Sequence, residues 1–508
     1  CILPKIFGAR FEQFRNRSEV MTALSIERAN QFIEEKEGTL DKTFYPAYHF
    51  AAPIGWINDP NGFSYYKDQY HLFYQYNPYD SVWGPMHWGH AVSPDGIDWS
   101  HLPVALAPDQ PYDKGGCFSG SALAHDGKLY LMYTGHLPAE DGRPLRQNQN
   151  IAYSEDGIHF EKYAKNPVLD EKDVPEGSSV EDFRDPKMFK HEDYFYAVIG
   201  SRTIDDKGQV LLYRSENMLD WEYVSVVFQN NPYLGTMVEC PDFMEVDGKA
   251  VFMLSAMNYT DKETDVFYPH ITWFVEGEMD WDTHTFRMTH IKELDKGMDF
   301  YAPQSFSNEG ETTMIAWMQG WNNTIASDTL KHGWAGQMTL PRKLFYEDSI
   351  LKQRVIPTFE QGLHTIREEK QITVDGELML TEKAPKYAMM QIHVADLTEM
   401  LQVRLGEETK ERILLNIDGA NRELSLDRAQ TAYPIKDRDG KAFDKTRRLS
   451  FADKKELLIQ IYYDTSSVEV IVNNEESLTM TYYTSEPLQY WSIISDVPCV
   501  LHNLKIAE

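Results

Sequence analysis

From residue 45 to about residue 356 the chain alternates short apolar runs with polar turn clusters, the texture of closely spaced β-strands. The runs Tyr70–Tyr76, Leu129–Thr134, Tyr194–Ile199, Ala250–Ser255 and Thr312–Met318 recur at a similar interval. A second signal keeps the same period. Ser93-Pro-Asp-Gly-Ile-Asp-Trp99 is echoed by Ser154-Glu-Asp-Gly-Ile-His-Phe160, by Ser215-Glu-Asn-Met-Leu-Asp-Trp221 and, more faintly, by Met279-Asp-Trp281. The aromatic endpoints lie about 60 residues apart each time. Five strand-rich units of this length predict a five-bladed β-propeller, each blade a four-stranded sheet whose edges are protected by radial packing. A stack of sandwich domains is the alternative, but the repeated turn motif argues for one repeated unit.

The flanks read differently. Phe11, Phe14, Val20, Met21, Leu24, Ile26, Ala29, Phe32 and Ile33 recur at helical spacing and predict a helix from about Arg10 to Lys42. After about residue 357 the repeat stops. Leu414-Leu-Asn-Ile-Asp418, Leu457-Leu-Ile-Gln-Ile-Tyr-Tyr463 and Val468-Glu-Val-Ile-Val472 alternate apolar and polar positions, which predicts half-buried antiparallel strands in a β-sandwich. The expected organisation is a helical segment at 1–44, the propeller at 45–356, a connection at 357–370 and the sandwich at 371–508.

Aromatic residues at 13% of the chain suit pleated half-buried surfaces and also sugar-stacking platforms. A formal net charge of −30 argues against nucleic acid and anionic membranes as partners, because phosphate surfaces need clustered Lys and Arg. A neutral substrate is compatible with it. The four cysteines (Cys1, Cys117, Cys240, Cys499) have neither metal-ligand spacing nor the density of a disulfide framework, and read as thiols of a cytoplasmic protein. No apolar stretch is long enough to span a membrane as a helix, and no apolar leader core stands at the N-terminus.

With the units in register, five polar motifs fall at equivalent places, just before or within the first strand of each: Trp56-Ile-Asn-Asp-Pro-Asn-Gly62, Cys117-Phe-Ser-Gly120, Phe183-Arg-Asp-Pro-Lys187, Val238-Glu-Cys-Pro-Asp242 and Asp299-Phe-Tyr-Ala-Pro-Gln304. First strands of propeller blades line the central channel, so Asp59, Asp185 and Glu239 are expected to converge at one mouth. Taken singly, each has a plainer reading: Asp-Pro and Asn-Gly are ordinary turn dipeptides, and Asp185 beside Arg184 suits an ion pair. Together, clustered carboxylates suit glycoside hydrolysis, where one stays ionised to attack an oxocarbenium-like carbon and another delivers a proton to the leaving oxygen.

These motifs resemble the signatures of glycoside hydrolase family 32, the invertases, fructanases and sucrose-6-phosphate hydrolases. Trp56–Gly62, Phe183–Lys187 and Glu239-Cys-Pro match the family's three catalytic motifs in order, supported by Trp83-Gly-Pro-Met-His-Trp-Gly-His90 and Cys117-Phe-Ser-Gly-Ser121. The resemblance implies a five-bladed propeller joined to a C-terminal β-sandwich, and a retaining β-fructofuranosidase acting on sucrose, sucrose 6-phosphate or short fructo-oligosaccharides. It implies Asp59 as nucleophile, Glu239 as general acid/base and Asp185 as transition-state stabiliser, with Arg184 steering the carboxylates. Trp56, Asn58, Gln75, Trp83, Phe118, Ser119 and Trp317 match substrate contacts. No metal or organic cofactor is implied, and a separation of roughly 5–5.5 Å between nucleophile and acid is expected of a retaining enzyme. Arg143, Arg146, Arg202 and Lys331 are candidate phosphate ligands or surface charge, and the sandwich offers a face for a homo-oligomer. The competing readings are an inverting five-bladed-propeller pentosidase, separable by product stereochemistry, and a sugar-binding propeller without turnover.

Overall fold

The structure, a computed structural model, describes residues 24–508 apart from 141, 264, 322, 437–445 and 452–453. Five antiparallel sheets follow one another along the chain and form the blades of a propeller. Their inner strands are Gly55–Tyr66, Cys117–His125, Ser178–His191, Met237–Val246 and Tyr301–Asn308. Each inner strand packs against that of the next blade, and the fifth packs against the first, so the ring closes. A parallel pairing of Trp334 and Ala335, from the long excursion of blade V, with Gly55 and Trp56 of blade I adds a clasp across that closure.

The repeated turn motif has a local cause. In blade I, Ser93 Oγ accepts from Gly96 N while Asp95 Oδ1 accepts from Ile97 N and Asp98 N. In blade II, Ser154 Oγ and Asp156 Oδ1 take the same donors from Gly157, Ile158 and His159. Asn217 replaces the aspartate in blade III, and Asp280 plays the part alone in blade IV. Each motif is therefore the turn between the third and fourth strands, with side-chain oxygens satisfying backbone N–H groups that would otherwise face water unpaired.

The helix spans Ile26–Lys36, capped by Ser25, whose Oγ accepts from Arg28 N. It docks on the outer strand of blade I, where Asn30 Oδ1 accepts from Val104 N. The portion of the expected helix before residue 24 lies outside the described residues, as does Cys1; after Lys36 the chain tightens into a short 3-10 turn at Glu37–Thr39. Within 357–370, the stretch Pro357–Gly362 is a short helix, and the first strand of the C-terminal domain begins at Thr365.

The C-terminal domain is a ten-stranded sheet folded on itself as a β-sandwich, nine strands in one path and Thr365–Thr381 branching from Trp491–Ala507. Strand Arg412–Asp418 buries Ile413, Leu415 and Ile417 and turns the residues between them outward, as the alternation predicts. Strand Ser467–Val472 is buried on both faces. Val468, Val470 and Val472 face the sandwich core, while Glu469 and Ile471 face the propeller, where Ile471 joins Leu340, Val355 and Phe359. No helix among the described residues is long and apolar enough to cross a membrane.

Candidate active site

Every inner strand carries a β-bulge at the same height. Asn58 and Asp59 bulge between the pairs Ile57–Tyr76 and Pro60–Tyr74, Ser119 between Phe118–Thr134 and Gly120–Tyr133, and Asp185 and Pro186 between Arg184–Gly200 and Lys187–Val198. Cys240 and Pro241, then Ala302 and Pro303, do the same in blades IV and V. Proline follows the first bulged residue in blades III, IV and V and the second in blade I, positions where a missing N–H costs no ladder bond. Asp185, Cys240 and Ala302 take positive φ (64°, 46° and 50°), a conformation that costs a non-glycine residue energy and that recurs here only because the blades repeat. The bulge re-aims one side chain per blade into the channel.

The result is two tiers of side chains. The bulge tier is Asp59, Ser119, Asp185, Cys240 and Ala302. Ser119 Oγ donates to Asp59 Oδ2 at 2.6 Å, Cys240 N donates to Asp185 Oδ2 at 3.0 Å, and Cys240 Sγ lies 3.6 Å from Asp59 Oδ2 and 3.7 Å from Asp185 Oδ2. The second tier, one residue earlier in each strand, is Asn58, Phe118, Arg184, Glu239 and Tyr301. Arg184 donates through Nε and Nη2 to Glu239 Oε1 at 3.2 and 2.9 Å, and the Tyr301 hydroxyl donates to Glu239 Oε2 at 2.6 Å. Asp59, Asp185 and Glu239 meet at one mouth. A small space beside them is lined by Ser119, Asp185, Cys240, Lys187, Asp242 and Gln304, with Lys187 Nζ donating to Asp242 Oδ2 at 2.9 Å.

The electrostatics follow from burial. Asp59 is nearly inaccessible, and burial pushes its carboxyl up; the nearby Glu239 charge adds to this, while the bond from Ser119 pulls the other way. Asp185 is raised by burial and by the charges of Glu239 and Asp59, against the pull of Arg184. Asp59 Oδ1 is buried and accepts no hydrogen bond among the described residues, so one oxygen of this carboxylate keeps its lone pairs uncommitted.

The remaining expected contacts are placed as follows. Trp56 Nε1 donates to Asn58 Oδ1 at 2.8 Å, which fixes both at the start of the blade I strand. Gln75 lies opposite the blade I bulge and donates to the Cys117 carbonyl of blade II. Trp83 sets its ring edge-on to Phe118 at 5.8 Å, and Phe118 stacks on His136 at 4.3 Å. Trp317 is fully buried and packs edge-on behind Trp56 at 5.8 Å, so it backs the wall of the site. The four candidate phosphate ligands are held by carboxylates: Arg143 at 2.7 Å and Arg146 at 3.9 Å from Glu171, Arg202 by Asp182, and Lys331 at 3.8 Å from Asp328. Sequence reasoning missed Tyr301, although Asp299-Phe-Tyr-Ala-Pro-Gln304 carries the signal: Tyr301 precedes Ala302 as Glu239 precedes Cys240. Asp182 and Thr134, whose Oγ1 accepts from Asp185 N at 2.9 Å, have no such marker.

The model of the glycosyl hydrolases family 32 N-terminal domain matches residues 49–355, and that of the family 32 C-terminal domain matches residues 363–508. Sucrose-6-phosphate hydrolase of Zymomonas mobilis is 36% identical over 465 residues, covering 86% of each chain. Raffinose invertase of Escherichia coli is 36% identical over 459 residues, covering 88% of this chain and 91% of its own. The solved GH32 β-fructofuranosidase of Bombyx mori superposes with a TM-score of 0.79 at 32% identity, covering 94% of this chain and 97% of that one. A propeller and sandwich in the same order, with the five polar motifs on the inner strands, fit those matches over almost the whole described length, and the chain belongs to glycosyl hydrolase family 32.

Proposed function

We propose that Asp59, Glu239 and Asp185 carry a retaining, double-displacement hydrolysis in this chain, a glycosidase that releases terminal fructosyl units from sucrose-type substrates. The observation that carries the assignment of roles is the contrast between the two end carboxylates. Asp59 has one oxygen anchored by Ser119 and one uncommitted, which suits attack on the anomeric carbon. Glu239 has both oxygens engaged, by Arg184 and by Tyr301, which suits a group that must hold one geometry while it gives and takes a proton. In the first step Asp59 forms a bond to the anomeric carbon as the glycosidic bond breaks, and the Glu239 proton goes to the departing oxygen. In the second, Glu239 takes a proton from water, the water oxygen attacks the same carbon, and the Asp59 ester bond breaks. Asp185 adds negative charge beside the carbon that becomes cationic between these states.

Trp56, Asn58, Gln75, Trp83, Phe118, Ser119 and Arg184 form or brace the fructosyl pocket in this reading, with Trp317 behind it. No metal or cofactor enters any step. The thiols of Cys117, Cys240 and Cys499 are free, which supports a cytoplasmic setting. The test is fructose release from sucrose, sucrose 6-phosphate and raffinose, with the anomeric configuration of the first-formed fructose followed by NMR. Release with retention is expected, and the ranking of rates names the preferred substrate. Inverted product, or no release from any of the three, would overturn the reading.

A further inference from the structure

Asp182 stands beside the mouth without belonging to either tier. It precedes Asp185 by three residues on the inner strand of blade III, and its side chain is only 17% exposed. Its Oδ1 accepts from Arg184 Nη1, and its Oδ2 accepts from Nε of Arg202 on the second strand of the same blade. Arg202 is in turn paired with Asp206 and lies 3.6 Å from Glu181. The Arg184 guanidinium is thus gripped from two sides: Asp182 on Nη1, and Glu239 Oε1 on Nε and Nη2, with Gln147 Oε1 a further 3.4 Å contact to Nη1. Burial pushes the Asp182 carboxyl up, but Arg184 and Arg202 outweigh it and hold the group below its ordinary value, so it stays charged.

A planar guanidinium keeps its orientation only if its donors are satisfied on more than one edge. Without Asp182, Arg184 has two alternatives: to swing toward Asp185 Oδ2, which lies 3.8 Å away, or to direct an uncompensated charge at Glu239. Either one disturbs the proton that Glu239 must deliver. The groups facing Glu239 are Arg184, Tyr301, Cys240, Asp59, Asp185 and His270; those facing Asp182 are Arg184, Arg202 and His136. We propose that Asp182 is a positioning residue, braced from outside by Arg202, that locks Arg184 and thereby sets Glu239 for proton delivery to the leaving-group oxygen.

The inference rests on the fructosidase reading above and makes a claim about one proton. With sucrose, the electron pair of the breaking bond leaves on an alkoxide-like oxygen that needs the Glu239 proton. With p-nitrophenyl β-D-fructofuranoside it leaves on a phenolate that does not. The parameter kcat/KM reports this bond-breaking step for both substrates. In Asp182→Asn, kcat/KM for sucrose is expected to fall about tenfold or more while that for the aryl fructoside changes by less than about threefold. Asp182→Glu should restore part of the loss, and Arg202→Gln should give the same substrate pattern at smaller size. Equal losses on both substrates, or a sucrose value within about threefold of wild type, would overturn the proposal. If Asp182→Asn does not fold, Arg202→Gln decides on the same criteria. Failure of the fructosidase reading shows in the wild type, as no release from either substrate, whereas failure of this inference shows only in the variants.

Discussion

The mouth of the propeller and its seam with the sandwich both bury several carboxylates, and they treat them in opposite ways. At the seam, His49 sits between Asp464 and Glu469 at 2.9 and 2.8 Å, and Arg342 is paired with Asp295 at 3.0 Å and with Glu469, all side chains fully buried. Ser477 and Thr479 donate to Asp295, and Leu340 N donates to Glu469 Oε1. Burial pushes Glu469 up, but Arg342 and His49 bring it down to about 2. At the mouth, Asp59 and Asp185 are nearly as deeply buried, yet Arg184 is shared among Asp182, Asp185 and Glu239, and Asp59 and Asp185 move upward instead. Burial alone therefore does not set the direction. The balance of cations does, and the mouth keeps a negative excess into which a cationic transition state brings the missing charge.

The largest test of that contrast removes charge from the mouth. Asp59→Ala should lower fructose release by about 10⁴-fold or more, and Glu239→Gln by about 10²–10⁴-fold. Neither should lower the thermal midpoint, because each removes a carboxylate from an overcrowded site. Wild-type-like turnover in either variant removes that residue from its role. A midpoint that drops sharply in both would mean that the mouth is built for stability like the seam.

The converse change is made at the seam. Arg342→Met leaves Asp295 and Glu469 without their shared cation, and breaking a buried pair from one side costs about 3–5 kcal/mol. Urea unfolding should show that loss, while the folded fraction keeps the wild-type kcat, since Arg342 faces the sandwich and not the mouth. A drop in kcat with unchanged stability would reverse the assignment of the two regions.

The two regions also differ in how far the sequence reveals them. The blade repeat was legible because its marker is local: Ser93, Asp95, Ser154 and Asp156 satisfy backbone donors within three residues of themselves. The mouth was legible because each blade contributes a short polar motif at the same bulge, so that Asp59, Asp185 and Glu239 align in the sequence alone. Tyr301 was readable by the same alignment and was overlooked because tyrosine is common in strands. The seam left no trace. His49, Arg342 and Glu469 come from one connecting segment, the third strand of blade V and one sandwich strand, with no shared motif, and His49 to Glu469 spans 420 residues. Asp182 is hidden for a related reason: its role depends on Arg202 returning from the neighbouring strand.

The smallest predicted effect lies in the pH dependence of the seam. Burial pushes His49 down, but its bonds to Asp464 and Glu469 outweigh this and raise it from 6.5 to about 9. A group raised on folding gives stability that is complete below its unfolded value, here 6.5, and that is lost as pH rises through its folded value, here about 9. Glu469 has the opposite sign: its contribution is present above 4.5 and lost as pH falls through about 2. Between pH 6.5 and 9 the thermal midpoint should therefore fall in the wild type, by the equivalent of at most about 3 kcal/mol. His49→Gln should be less stable at neutral pH and flatter across that window, because its amide does not titrate. Parallel curves for the two proteins would mean that His49 is not charged at the seam, and that Arg342 alone offsets Asp295, Asp464 and Glu469 there.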